Sequence, residues 1–214
     1  MKEVRPYTEN EEIANGLTHA LGIVLGIVGT VALCLKSSSG VEWVAALVYG
    51  VSLVALYSAS TTYHLVKPPK RKAIFKKFDH AGIYVLIAGT YTPFLLLNID
   101  SGRGLIVLGV LWLSALAGIL YKFFFIHKMK KFSTVLYLLM GWVPAITFPT
   151  LYEVVGPDGV FWIVAGGVLY SSGVIFYADK VRPYRHAIWH VFVLMASIAH
   201  FIAIYAYSFP NSVR

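Results

Sequence analysis

Residues 186–208 read HAIWHVFVLMASIAHFIAIYAYS. The stretch holds no Asp, Glu, Lys or Arg, and at about 1.5 Å per residue a helix of this length crosses a hydrocarbon core of about 30 Å. Lipid offers nothing to pair with a peptide N–H or C=O, so a segment this uniformly apolar must satisfy its backbone within itself, as a helix. It is read as a membrane span. Its polar exceptions are imidazoles, with His186 and His190 at the mouth and His200 deeper in.

The same pattern recurs upstream. Apolar runs between polar bursts give spans at 17–35, 43–65, 80–98, 104–121, 133–152, 160–178 and 186–208. Of 214 residues, 58% are hydrophobic and 13% charged, where soluble proteins average about 45–50% and about 25%. The expected fold is an all-α integral membrane protein, a seven-transmembrane helix bundle over 17–208. An arm or interfacial helix at 1–16 precedes it and a short tail at 209–214 follows. The polar, acidic opening MKEVRPYTENEEIANG does not read as a cleavable signal peptide, so the first span is expected to stay in the mature protein. Cys34, the one cysteine, lies in an apolar run and suits packing. Gly22, Gly26, Gly166 and Gly167 suit close helix approach, and Pro93, Pro144 and Pro149 are expected to kink their spans.

Lysine and arginine set the orientation. Lys2 and Arg5 precede the first span. Lys67, Lys70, Arg71, Lys72, Lys76 and Lys77 follow the second. Lys122, Lys128, Lys130 and Lys131 follow the fourth, and Lys180, Arg182 and Arg185 follow the sixth. Only Lys36, Arg103 and Arg214 fall on the other side. This bias predicts a cytoplasmic N-terminus and an outer C-terminus, in the cytoplasmic (inner) membrane. The net charge of +8 is spread over several loops, so no nucleic-acid partner is implied.

Polar groups inside a bilayer are costly and usually functional. His64 closes the second span, Asp79 and His80 open the third, and His186 and His190 open the seventh, which places them at one depth. Residues four apart share a helix face about 6 Å apart along the axis. His186 and His190 can therefore face one ion, and Ser60 pairs with His64 in the same way. Three histidines with one open position are the ligand set of a catalytic zinc site. Asp79 is then placed to hold or deprotonate a water, and Ser60 to donate to a polarised carbonyl or oxyanion. The bland alternatives are a helix N-cap for Asp79 and a packing role for Ser60. His200 lies about 15 Å along the helix from His190, too far to share the ion, and reads as a buried contact lining a cavity. His127 reads as solvated, His80 as structural, and His19 as an outer contact of the metal site.

At these residues the chain resembles the hemolysin III branch of the progestin and adipoQ receptor family, whose superfamily includes adiponectin receptors and alkaline ceramidases. The matching marks are Glu11-Glu-Ile-Ala-Asn15 with Thr18-His19, Ser60-x-x-x-His64, Asp79 with Ile83-Tyr84 and Gly89-Thr-Tyr-Thr-Pro93, and His186-x-x-x-His190 with His200-Phe201. They run through nearly the whole chain. The resemblance implies a zinc held by His64, His186 and His190 on the cytoplasmic side, a water near Asp79 and Ser60, and hydrolysis of ceramide-like lipid amides. Nothing in the chain resembles a secreted pore-former.

Two functions follow as expectations. One is a zinc hydrolase acting on a membrane lipid. The other is a non-catalytic sensor or regulator of membrane state, in which zinc ties spans two, three and seven together. A transporter would place ionisable groups at the midplane, and here only His200 lies there. A retinal protein needs a lysine in the last span, and 186–208 has none.

Overall fold

The computed structural model describes residues 5–99, 101–125 and 130–209. His127 and most of the tail at 209–214 lie outside them. Each helix forms where an apolar run meets a start signal. Helix α1, Glu9–Lys36, begins at Thr8, whose hydroxyl accepts from the Glu11 amide at 3.3 Å while the Glu11 carboxylate accepts from the Thr8 amide at 3.0 Å. This reciprocal capping box satisfies two first-turn donors. It starts the helix ahead of the apolar run, so residues 9–16 of the arm expected at 1–16 form the first turns of α1. Helix α2, Gly40–Leu65, is capped by Ser39. Helix α3, Pro69–Asn98, starts at a proline, which suits a first turn.

The early start of α3 corrects two expectations. Its basic residues from Lys70 to Lys77 are helical rather than in a loop, because lysine and arginine are good helix formers once a proline has set the first turn. Asp79 therefore sits well inside the helix and caps nothing.

Helix α4 covers Ser101–Phe125 and α5 covers Lys130–Trp142, which runs through a 3₁₀ turn at Val143–Thr147 into α6, Phe148–Ala178. Pro144 lies in that turn and Pro149 in the first turn of α6, so the expected kink appears as a change of helix type. Helix α7 covers Arg185–Ala203 and ends in a π turn at Ile204–Ser208.

Among the described residues, six helices are long and apolar enough to cross a membrane, and the stretch Ser133–Ala178, 46 residues, counts as one of them. Gly156 interrupts that stretch at φ 70°, ψ 177°, a conformation open essentially to glycine alone. The break falls between the expected fifth and sixth spans.

Polarity is inside out. On α1 the buried face reads Glu11, Asn15, His19, Gly22, Gly26, Gly29 and Leu33, while Leu17, Leu21, Val24, Val28, Val31 and Leu35 point outward and exposed. Large apolar side chains face the surroundings and small or polar ones face the bundle, as a lipid solvent requires. Chain neighbours α1 to α4 pack side by side, α6 packs on α7, and α7 returns to α1. That closure sets the N-terminal ends of α1 and α7 and the C-terminal end of α2 together. Deeper in, the Tyr57 hydroxyl donates to Ser197 Oγ at 2.7 Å and Tyr170 pairs with the same atom at 2.8 Å, tying α2 and α6 to α7.

Candidate metal centre

His64 on α2 and His186 and His190 on α7 are all buried, and each offers a ring nitrogen within 4.8 Å of the others. The four-residue spacing on α7 and the packing of α1 between α2 and α7 produce this meeting. The same contacts decide which nitrogen is free. His64 Nδ1 lies 2.6 Å from Glu12 Oε2, and His190 Nδ1 lies 3.0 Å from the Asn15 carbonyl oxygen. Carboxylate and carbonyl oxygens only accept, so both Nδ1 atoms donate, and in the neutral rings both Nε2 atoms carry a bare lone pair. Those two Nε2 atoms, and both ring nitrogens of His186, are buried without a hydrogen-bond partner.

Buried nitrogens that converge without a hydrogen-bond partner leave each group unsatisfied. A cation answers this, and the pattern of a ring held from behind by an acceptor is usual for zinc-bound histidine. Tetrahedral zinc spaces nitrogens about 3.4 Å apart, so shifts of under about 1 Å per ring close the set. The residues fit the ion.

Asp79 stands outside this ligand set. It is buried, within electrostatic reach of His64 and His190, and its Oδ2 lies 3.4 Å from His80 Nδ1. His80 thus contacts Asp79, its ring folding back to donate to the Lys76 carbonyl at 2.9 Å. Ser60 is wholly buried one turn from His64, its hydroxyl unpartnered.

A cavity with about 950 Å³ of atom-free space, its open mouth included, runs between α3, α5, α6 and α7. Asp79 and His19 line it together with Leu86, Leu138, Val193 and, further along, His200. His200 is the buried lining contact expected, its Nε2 donating to the Ile163 carbonyl at 3.0 Å. Gly166 makes room for it, since a Cβ there would lie 2.3 Å from His200 Nε2.

The sequence reading missed three contributors on the N-terminal side. Glu12 holds His64, and it also pairs with Lys72 Nζ at 2.8 Å. The Asn15 carbonyl holds His190. Tyr7 stacks on His186 at 5.2 Å between ring centroids, covering the cluster from outside. Burial, together with the nearby Tyr177 and Glu12, pushes the Tyr7 hydroxyl above its usual pKa, so it stays protonated. The arm is pinned through Glu11, which pairs with Arg5 and accepts from the Tyr184 amide at 2.8 Å, while Arg5 Nε donates to the Val181 carbonyl at 3.1 Å. The capping box was the available signal, because starting α1 at Glu9 brings Glu12 level with His64.

A family model described as Haemolysin-III related matches residues 7–201, from Tyr7 past His200. The chain is 41% identical over 205 residues to Hemolysin-3 of Bacillus cereus, covering 94% of each. It is 35% identical over 207 residues to the human monocyte to macrophage differentiation factor, covering 94% of this chain and 86% of that one. A more distant relative is the heptahelical transmembrane protein ADIPOR2 of Oryza sativa subsp. japonica, 26% identical over 191 residues and covering 74% of this chain and 79% of that one.

Proposed function

The chain belongs to the haemolysin-III related family of multi-pass membrane proteins, and from that premise we propose that it is a zinc-dependent hydrolase of lipid amides in the cytoplasmic membrane. The observation that carries this is the set of bare, buried nitrogens of His64, His186 and His190 beside an apolar cavity. These three residues would hold the metal, and Glu12 and Asn15 would orient two of them. When bound, zinc supplies Lewis acidity, polarising a carbonyl and making water a competent nucleophile near neutral pH.

The chain's own residues do the rest. The apolar cavity walls take the acyl chain and exclude bulk water. Asp79, lining that cavity, takes up the proton of the attacking water and returns it to the amide nitrogen as the C–N bond breaks and the amine departs. Ser60 donates from its free hydroxyl to the carbonyl oxygen as negative charge gathers there. In this reading the Ser133–Ala178 stretch crosses twice, turning at Gly156. At 1.5 Å per residue it is about 70 Å long, roughly twice the hydrocarbon core. The bundle then has seven spans, and the basic-residue bias puts the N-terminus and the metal centre on the cytoplasmic side.

The test is elemental analysis of the purified protein beside release of fatty acid from a panel of long-chain amides. One zinc per chain is expected, lost in the triple alanine variant of His64, His186 and His190. Asp79→Ala should keep the zinc and lose turnover. Zinc bound with no turnover across the panel would leave a structural metal and favour the sensor reading.

A further inference from the structure

His19 is fully buried on α1, yet neither of its ring nitrogens has a hydrogen-bond partner. Its place is tightly defined. The ring stacks on His190 at 3.6 Å between centroids and 10° between planes, and it meets Tyr57 edge-on at 4.9 Å. The Asn15 carbonyl that fixes His190 lies one turn earlier on the same helix, so α1 sets both rings in register. His19 is not one of the three converging ligands. It lines the cavity instead, as Asp79 does. It therefore stands at the boundary between the metal centre and the apolar cavity, one ring thickness from a ligand.

A buried polar group left unpaired is costly, and a polar side chain aimed into a cavity implies that its partner is a ligand. An uncharged imidazole offers one N–H donor and one bare acceptor nitrogen. Its complement is a group carrying both an acceptor and a donor. A secondary amide has both, in its C=O and N–H, whereas an ester has only acceptors. A site that pairs with a substrate N–H discriminates against the analogue lacking it, because its own buried acceptor is then left bare.

We propose that His19 reads the linkage of the bound lipid and selects amides over esters. It is a specificity-determining contact, resting on the reading of the site as a zinc-dependent lipid amide hydrolase. The imidazole pairs with the linkage beside the scissile carbonyl and fixes it relative to His190 through the stack.

Two probes isolate this contact: N-ethylhexadecanamide and ethyl hexadecanoate, which differ only in N–H against O. Their binding to the zinc-loaded full chain in detergent is followed by the fluorescence of Trp142 and Trp189, which line the cavity, in an Asp79→Asn background that suppresses turnover. With His19 intact, the amide should bind about tenfold more tightly or better, the worth of one buried hydrogen bond. His19→Ala should bring the ratio of the two dissociation constants close to one with the zinc content unchanged. His19→Gln, which restores a donor and an acceptor, should recover part of the preference. Equal binding of the two probes with His19 intact, no binding of either, or a preference that survives His19→Ala would overturn the proposal, the last pointing to bound water as the partner. Should His19→Ala fail to fold or lose zinc, the Gln variant decides, since a lost preference with zinc retained would contradict the proposal. Selective binding of the amide without hydrolysis by the wild-type chain would sink the hydrolase reading and leave the role of His19 standing.

Discussion

Replacing Glu12 with alanine should weaken zinc binding by one to two orders of magnitude without touching a ligand. The Glu12 carboxylate accepts from His64 Nδ1 at 2.6 Å, and the His64 side chain is wholly buried while Glu12 keeps only 19% exposure. A hydrogen bond to a charged group in such a setting contributes about 1.5–3 kcal/mol, which is about 10- to 150-fold in affinity. That range overlaps the roughly 10- to 100-fold lost when outer partners of metal-bound histidines are removed. Without Glu12 the Nδ1–H has no acceptor, and the ring is free to turn its Nε2 away from the cluster. Glu12→Gln keeps a neutral acceptor of about half the strength, so about 3- to 12-fold is expected. Lys72→Met removes the other partner of Glu12 and leaves the His64 bond in place, so affinity should stay within about threefold. Competition against a chromogenic chelator of known zinc affinity measures all three in the purified full chain. An affinity for Glu12→Ala within threefold of wild type, in a folded protein, would refute the reasoning and with it the claim that Nε2 of His64 is a ligand.

Three further outcomes follow from the structure. Gly156→Ala should cost about 1–3 kcal/mol, because φ 70° with ψ 177° suits only glycine. A thermal scan should show a lower midpoint with zinc content unchanged, since the break lies far from the histidines in sequence. Gly166→Ala puts a methyl group 2.3 Å from His200 Nε2. The ring must move off the Ile163 carbonyl, at about 1–3 kcal/mol of overpacking, read as a lower melting temperature and weaker binding of long acyl chains than of short ones. At the α6–α7 turn, the amides of Arg182 and Val181 donate to Asp179 and, with the Arg182 and Arg185 side chains nearby, hold its carboxyl below the usual carboxylate range. A pKa depressed on folding stabilises the turn above the unfolded value and is lost as pH falls through the folded one. Hydrogen-exchange protection of the Val181 and Arg182 amides should therefore persist below about pH 3.9, where a free Asp protonates, and vanish in Asp179→Ala.

The cluster of His64, His186 and His190 was legible because its spacing is local. His186 and His190 lie on one face of one helix whatever surrounds them, and His64 sits at the same depth by the count of apolar residues. Asp79 was legible as a polar residue at that depth but not in its setting, since the helix start at Pro69 depends on a proline and not on hydropathy. Glu12 was hidden by the assumption that a helix begins where the apolar run begins, and the Thr8–Glu11 capping box contradicts it. The contact of His80 with Asp79 was not legible, because position on the helix gives the direction of Cβ but not the rotamer, and the ring turns back toward Asp79 by bonding the Lys76 carbonyl.

The sequence by itself determined that the chain crosses a membrane several times as helices and that imidazoles cluster at one depth. Both depend on terms summed along single segments, the transfer of apolar residues to lipid and the rise per residue. Only the tertiary structure decided which nitrogen of His64 and of His190 is free, that α1 supplies the outer partners of these two, and that His19 lines a cavity rather than joining the three converging histidines. These depend on the rotation of each helix about its own axis relative to its neighbours. Periodicity fixes a face within a helix, but packing alone determines what that face meets.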